Sequence, residues 1–253
     1  MHKRPIRIPL VLVLPALLLA ACDSIDFSLV IHDNLAPEEG CSWVLPSGDE
    51  YQFIKAGVLD LAYPGFALGV GAPSYYLHLL IYNYLLPDLN ADSGRLNSRA
   101  IMLQSFEIDY TWLRGYDEIA ALNSAALEGL TSQHVSVPMA HVIGSADDSG
   151  EPGKALLGLN VLPASEGRML DDLAMLQGAL EALDRIYLGV EVRAVGTTLG
   201  GTRVESMPFV YPISFCFNCL AHRCPAPFQN FFPGCHAGQD YNDYSVCPAA
   251  TTP

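Results

Sequence analysis

The chain has 253 residues, 51% of them apolar, and sets 27 Asp and Glu against 13 Lys and Arg for a net charge of −14. That acidity argues against nucleic acid as a partner and against a polybasic grip on anionic lipid, since both need clustered Lys and Arg. The apolar content combined with low charge indicates a chain that folds around a core.

The first element lies at the N-terminus. Lys3, Arg4 and Arg7 precede an uncharged apolar run over residues 8–19, and Leu19-Ala20-Ala21-Cys22 follows. A basic start, a short apolar core and small residues at the cut are the anatomy of a secretory signal, assigned to residues 1–21. The run is shorter than the roughly 20 residues of a membrane-spanning helix, and Pro9 and Pro15 interrupt it. The Leu-Ala-Ala-Cys order resembles the lipobox of bacterial lipoproteins. The resemblance implies a diacylglyceryl group on the Cys22 thiol, cleavage before it and acylation of the new amine, with palmitate-type chains. Two or three such chains hold a protein on a bilayer far more firmly than one. Cleavage removes three basic residues and no acid, leaving 232 residues with 10 basic against 27 acidic and a net charge of −17.

Residues 22–50 read as a lipidated tether and first loop, punctuated by Asp33-Asn34, Pro37, Gly40 and Pro46-Ser47-Gly48. Residues 51–215 read as a β domain. A strand over 56–63 ends at Pro64-Gly65, and 75–85 is an aromatic and aliphatic strand long enough to sit centrally in a sheet. Residues 101–112 alternate, placing Ile101, Leu103, Ser105, Glu107 and Asp109 on one face, and Met102, Gln104, Phe106, Ile108, Tyr110 and Trp112 on the other. Further strands are expected over 134–139 and 155–162, separated by a polar loop at 145–152. Residues 168–185 carry Leu170, Leu173, Leu176, Leu180 and Leu183 on one stripe, the pattern of an amphipathic helix packed on a sheet. Strands over 187–195 and 203–213 form a hairpin across 197–202, where Gly200-Gly201 supplies the positive φ of the turn. The fold class expected is mainly β: an immunoglobulin-like β-sandwich with one inserted helix and a disulfide-rich C-terminal tail at 216–253.

With Cys22 spent on lipid, six cysteines remain: Cys41, Cys216, Cys219, Cys224, Cys235 and Cys247. An even count in an exported chain reads as three disulfides, for which 15 connectivities exist. Five of the six lie in the tail. Five is odd, so full pairing forces Cys41 to bond a member of the tail cluster and brings the two ends of the mature domain together.

Residues 192–219 read VRAVGTTLGGTRVESMPFVYPISFCFNC, followed by Leu220 and by Cys235-His236-Ala237-Gly238-Gln239-Asp240. This stretch resembles an uncharacterised family of cysteine-rich lipoproteins from myxobacteria, with its G-T-x-G-G, F-x-(F/Y)-P-I, C-x-x-C-L and C-x-x-G-Q-D steps. Leu45-Pro46-Ser47-Gly48, Gly57-Val58-Leu59-Asp60-Leu61 and Asn83-Tyr84-Leu85 are similar to its N-terminal half. The chain departs from the pattern by ending on a single Cys247 and by a longer 145–186 region. The resemblance implies a surface lipoprotein with a disulfide tail and carries no catalytic residue.

Candidate chemistry is sparse. Cys216-x-x-Cys219 with Cys224, Cys235, His222 and His236 contains a zinc-ligand set, but the second knuckle of a structural zinc site is missing and an oxidising compartment favours disulfides. The same Cys216-Phe217-Asn218-Cys219 follows a strand and opens no helix, unlike a thioredoxin-type motif. Asp88, Asn90 and Asp92 match the first half of a calcium loop; Arg99 stands where the closing bidentate Glu belongs, which favours a plain acidic loop. Asp147-Asp148-Ser149-Gly150-Glu151 and Asp240-Tyr241-Asn242-Asp243 read as solvated loops. No G-x-S-x-G, H-E-x-x-H or Walker loop is present. His78 and His134 sit among apolar residues, the setting of hydrogen-bonded core histidines, and the Tyr-rich strand at 75–84 reads as core and rim rather than a sugar platform.

No cofactor is expected. The role expected is a non-enzymatic structural, adhesive or interaction one in the cell envelope, with the bilayer as partner through Cys22 and envelope proteins or glycans as further partners. The alternative is a glycan- or small-ligand-binding protein, or an envelope hydrolase, with a site built from distant loops. The outer membrane is the expected location; Asp23 after the lipidated Cys leaves the periplasmic face of the inner membrane as the other.

Overall fold

The computed structural model describes residues 28–38, 41–48, 51–61, 74–87, 98–114, 134–162, 185–217, 219–220, 235–236 and 239–240. Nine strands run through them: β1 (Leu29–Asn34), β2 (Gly57–Asp60), β3 (Tyr76–Asn83), β4 (Ile101–Arg114), β5 (His134–Ile143), β6 (Gly153–Asn160), β7 (Ile186–Thr198), β8 (Arg203–Glu205) and β9 (Phe209–Cys216). No helix occurs among the described residues, and the protein is mainly β. The helix expected at 168–185 falls, apart from Arg185, outside them.

The strands form a three-stranded sheet ordered β1-β3-β6 and a larger one ordered β2-β9-β7-β4-β5, with β8 paired to β7. All the pairings are antiparallel except β2 with β9, which is parallel. Alternation explains the core. Leu29, Ile31, Leu77, Leu79, Ile81 and Leu159 from the small sheet meet Phe106, Ile108, Leu188, Val190, Ile213 and Phe215 from the large one. Each such side chain contributes about 2 kcal/mol by leaving water. β3 is buried on both faces because its outer side, through Leu80 and Tyr82, packs under Trp43, Tyr51 and Leu35.

Four expectations change in detail. Residues 29–34, assigned to the tether, form strand β1; its polar Asp33-Asn34 ends a six-residue run whose register partner is β3. The face assignment of β4 holds only beyond Ser105. A β-bulge between Leu103 and Ser105, present in the pairings with both β5 and β7, inserts an extra residue and reverses the phase. Ile101 and Leu103 therefore share the buried face with Phe106 and Ile108. The strand expected over 203–213 is two strands, broken at Ser206-Met207-Pro208. The turn joining β7 to β8 uses one positive φ, at Gly201.

Asn83 ends β3 with no exposed surface. Its amide donates to the carbonyls of Arg99 (3.0 Å) and Gly144 (2.8 Å) and its oxygen accepts from Leu85 N (3.0 Å), tying three loops at one end of the domain. Asn83→Leu strands these backbone groups away from water. We expect a loss of about 2 kcal/mol in chemical denaturation; an unchanged midpoint would show that water reaches this end.

Two disulfides are present. Cys41 bonds Cys235 across 194 positions, so the first loop and the tail are adjacent, as cysteine parity requires. Cys216 bonds Cys219 across three positions. Closing so small a ring restrains the unfolded chain by only about 2 kcal/mol. Cys22, Cys224 and Cys247 lie outside the described residues.

Candidate functional site

The Cys41–Cys235 bond delivers a short C-terminal segment to the end of the domain opposite Asn83, where it bridges the sheets. Gln239 mimics a strand partner for β3: its Oε1 accepts from Tyr76 N at 2.8 Å and its Nε2 donates to Tyr76 O at 2.6 Å. Asp240 does the same for β2. Its backbone N donates to Val58 O at 2.8 Å and its carboxylate accepts from Val58 N at 2.8 Å. One dipeptide thereby joins the small sheet to the large one.

Asp240 is not the solvated loop residue expected; it terminates a buried donor chain. The Tyr75 hydroxyl donates to its carboxylate at 2.6–2.7 Å. With that proton committed, the Tyr211 hydroxyl, 3.2 Å away, must donate to Tyr75, and Asn34 Nδ2 donates to Tyr211 at 3.2 Å. Such a relay polarises each member toward the acceptor. Burial pushes the Asp240 carboxyl above its ordinary value, against the hydrogen bonds from Tyr75, Val58 N and Gln239. Burial, with Asp240 as neighbour, raises Tyr75 well above the usual phenol range. A Cβ at Gly57 would collide with the Tyr75 ring and hydroxyl, which is why glycine opens β2.

Beside this relay, His78 Nε2 and His236 Nε2 are 3.0 Å apart. The ring centroids are 5.3 Å apart and the planes within 7°. The nitrogen separation plus the two ring radii accounts for that whole distance, so the rings meet edge to edge with Nε2 facing Nε2. This is the line of an N–H···N bond. Two lone pairs aimed at each other do not converge on a cation, so the pair is poorly shaped as a chelate. Trp43 stacks on His78 at 3.7 Å, and Tyr76 lies against His236 at 4.7 Å. Burial, then its partner histidine, pushes His78 down to about 4; burial lowers His236 as well. Both are neutral at pH 7. His78 is thus hydrogen-bonded, as its neighbours suggest, but half-buried rather than a core residue. A cavity of about 20 Å³ between Asn34, His78, His236 and Asp240 has room for one water. An open cleft of about 960 Å³ adjoins it, lined by Leu35, Glu38, Val44, Leu45, Tyr51 and Gln52.

His134 corrects the expectation of a core histidine: its side chain is 55% exposed. β5 is an edge strand, and alternation turns Val135 and Val137 to the core while His134 and Ser136 face water. There His134 lies 2.9 Å from both Glu107 and Asp109. The hydrogen bond to Asp109 raises its pKa foremost, and the Ser105 hydroxyl chiefly lowers that of Glu107. Ser105 and Ser136 both donate to Glu107, not to the imidazole. Arg193 completes the network with Asp109 and Glu191. In solvent such pairs contribute little to stability.

The third cluster joins Asp60, Cys216 and Cys219, whose carboxylate oxygen and sulfur atoms lie within 4.8 Å of one another. Asp60 and Cys216 are register partners on the parallel strands β2 and β9. The sulfurs are bonded to each other, which removes the thiolates that zinc would need. Asp147 accepts from Ser149 N, Ser149 Oγ and Glu151 N, which makes its loop a self-bonded turn rather than an ion site. Asp88, Asn90, Asp92 and His222 fall outside the described residues.

Sequence reasoning missed Asp60, Asp240 and the His78–His236 pair, because each depends on contacts more than 150 positions apart. The one local signal was the polar Gln239-Asp240 placed directly after a cysteine-anchored turn. Comparison with known proteins returned no match: no family model fits the chain, and no curated protein or solved structure is significantly similar to it.

Proposed function

We propose that the chain is exported, cleaved before Cys22 and acylated there, and serves in the cell envelope as a non-enzymatic structural or interaction protein. The observation that carries this reading is the Cys41–Cys235 bond, a cross-link between distant parts of the chain that persists in oxidising compartments. The signal-like N-terminus and the resemblance to myxobacterial cysteine-rich lipoproteins support it. The two facing sheets suit an immunoglobulin-like sandwich, with the parallel β2–β9 pair and the tail segment as its own additions. The filled core favours binding or scaffolding over hydrolysis. The outer membrane is the location this reading assigns.

Intact-mass analysis of the membrane-extracted protein, before and after reduction, tests it. The expected mass lacks residues 1–21, carries acyl groups at Cys22 and gains two protons per disulfide on reduction. Cys22→Ser should release the protein from the membrane fraction. An uncleaved chain, or a cleaved one without acyl mass, overturns the anchor.

Small-ligand or glycan capture is the second reading. The cleft beside Tyr51 and Gln52 favours it, because its volume lies within the range of about 300–1,000 Å³ that ligand sites occupy.

A further inference from the structure

The Cys216–Cys219 bond stands apart from the staple between Cys41 and Cys235. It encloses two residues, so it fastens nothing distant. Cys216 is buried at the end of β9, while Cys219 is exposed. The only other acid or thiol group that reaches both sulfurs among the described residues is Asp60, which is itself buried. Two hydrogen bonds that use neither sulfur hold this corner: Leu61 N donates to Cys216 O at 2.9 Å, and Leu220 N donates to the side-chain Oδ2 of Asp60 at 2.8 Å. The two thiols therefore stay within reach of each other when the bond opens, and its re-formation is an intramolecular step.

We propose that Cys216, Cys219 and Asp60 form a thiol–disulfide exchange site for cysteine-bearing polypeptides, a redox activity added to the structural role proposed above and independent of lipidation at Cys22. An accessible sulfur and a shielded partner are what a two-step exchange uses, and a carboxylate within reach of both can take and return the proton. In the closing direction the exposed Cys219, as thiolate, attacks a disulfide of the substrate. The substrate's S–S bond breaks, one of its sulfurs leaves as thiolate, and Cys219 is held in a mixed disulfide. Cys216 then attacks the Cys219 sulfur and passes its proton to the Asp60 carboxylate. The second substrate sulfur departs as thiolate, and the Cys216–Cys219 bond is left behind. Two electrons move from the pair of thiols to the substrate disulfide, which is the oxidant. Run backwards, the bonded pair oxidises a substrate dithiol: Cys219 is attacked, and Cys216 leaves with the proton that Asp60 returns. Exposed Phe217 between the two cysteines offers an apolar contact for a polypeptide.

Thioredoxin-type sites stabilise a thiolate at a helix N-terminus. The neighbour of both sulfurs among the described residues here is an acid, Asp60. Proton transfer with Asp60, rather than a lowered thiol pKa, is the distinguishing feature, and the experiment is built on it.

The mature, oxidised protein is equilibrated in glutathione buffers of graded ratio, quenched by alkylation and mapped by peptide mass. The expected result is glutathione-dependent labelling of Cys216 and Cys219 under conditions that leave Cys41–Cys235 intact. Cys216→Ser should trap a stable glutathione adduct on Cys219. Asp60→Asn, which keeps an oxygen for Leu220 N, should slow closure at least tenfold and change its pH profile while the melting temperature holds. Labelling of neither cysteine before Cys41–Cys235 opens overturns the proposal, as does an Asp60→Asn pH profile identical to the parent. One tightly held zinc per reduced chain would also overturn it, by assigning the same three groups to a cation. An Asp60→Asn chain that loses its melting transition moves the test to Asp60→Ser, which removes the carboxyl and keeps an oxygen; a pH profile unchanged from the parent there overturns the role of the carboxylate.

Discussion

Replacing Cys41 and Cys235 together by serine is expected to lower the unfolding free energy by about 5 kcal/mol, and the Cys216→Ser, Cys219→Ser pair by about 2 kcal/mol or less. The contrast follows from what each bond encloses. Cys41 and Cys235 are 194 positions apart, with every strand from β2 to β9 between them, so the cross-link removes most of the freedom of the unfolded chain. The small ring removes little. The native consequence is local. Freed from Cys41, the segment with His236, Gln239 and Asp240 loses its tether, and Trp43 loses the anchored surface on which it stacks. Equilibrium denaturation gives the two energies, and tryptophan emission, which reports Trp43 and Trp112, should shift toward the red in the first variant alone. Equal losses in the two double variants would mean that the long cross-link closes a loop already compact when unfolded.

This staple was legible without coordinates, because it rests on counting and not on geometry. The long strands were legible for a related reason: period-2 alternation in residues 101–112 and 187–195 survives wherever one face is buried. The failures have physical causes of the opposite kind. The bulge at Leu103–Ser105 adds a residue that alternation cannot register, so the first turn of β4 was assigned to the wrong face. β1 opens on the β-prone Leu29-Val30-Ile31, but it is six residues long and ends in the turn-formers Asp33-Asn34; pairing with β3 completes it as a strand. His134 was placed inside by its apolar neighbours, although on an edge strand those neighbours point the other way. Asp240 looks like a surface acid in Gln239-Asp240-Tyr241-Asn242-Asp243; only Tyr75, 165 positions earlier, makes it an interior one. Asp60 gains its place beside Cys216 through a parallel pairing of β2 with the distant β9, and no local pattern encodes such a pairing.

Asp240→Ala should cost about 4 kcal/mol, since it leaves the Tyr75 hydroxyl and Val58 N without acceptors in the interior, at about 1–3 kcal/mol each. Asp240→Asn retains one oxygen and should cost roughly 1 kcal/mol at neutral pH. The pH dependence separates a charged terminus of the relay from a neutral one. Because burial holds the folded carboxyl above its ordinary 3.8, the folded state binds that proton more tightly than the unfolded chain does. The stability linked to it is complete below 3.8 and is lost as pH rises through the higher folded value. The parent's advantage over Asp240→Asn should therefore widen as pH falls from neutrality toward 4. His78 and His236 act in the opposite sense: both are depressed, so their contribution is present above 6.5 and fades as pH drops through the folded values, about 4 for His78. Both chains carry that pair, and it cancels in the difference. Denaturation of parent and Asp240→Asn side by side across pH 4–8 reads the difference directly. A gap that is widest at neutral pH would show that the hydrogen bonds from Tyr75, Val58 and Gln239 outweigh burial and that the relay ends on a carboxylate.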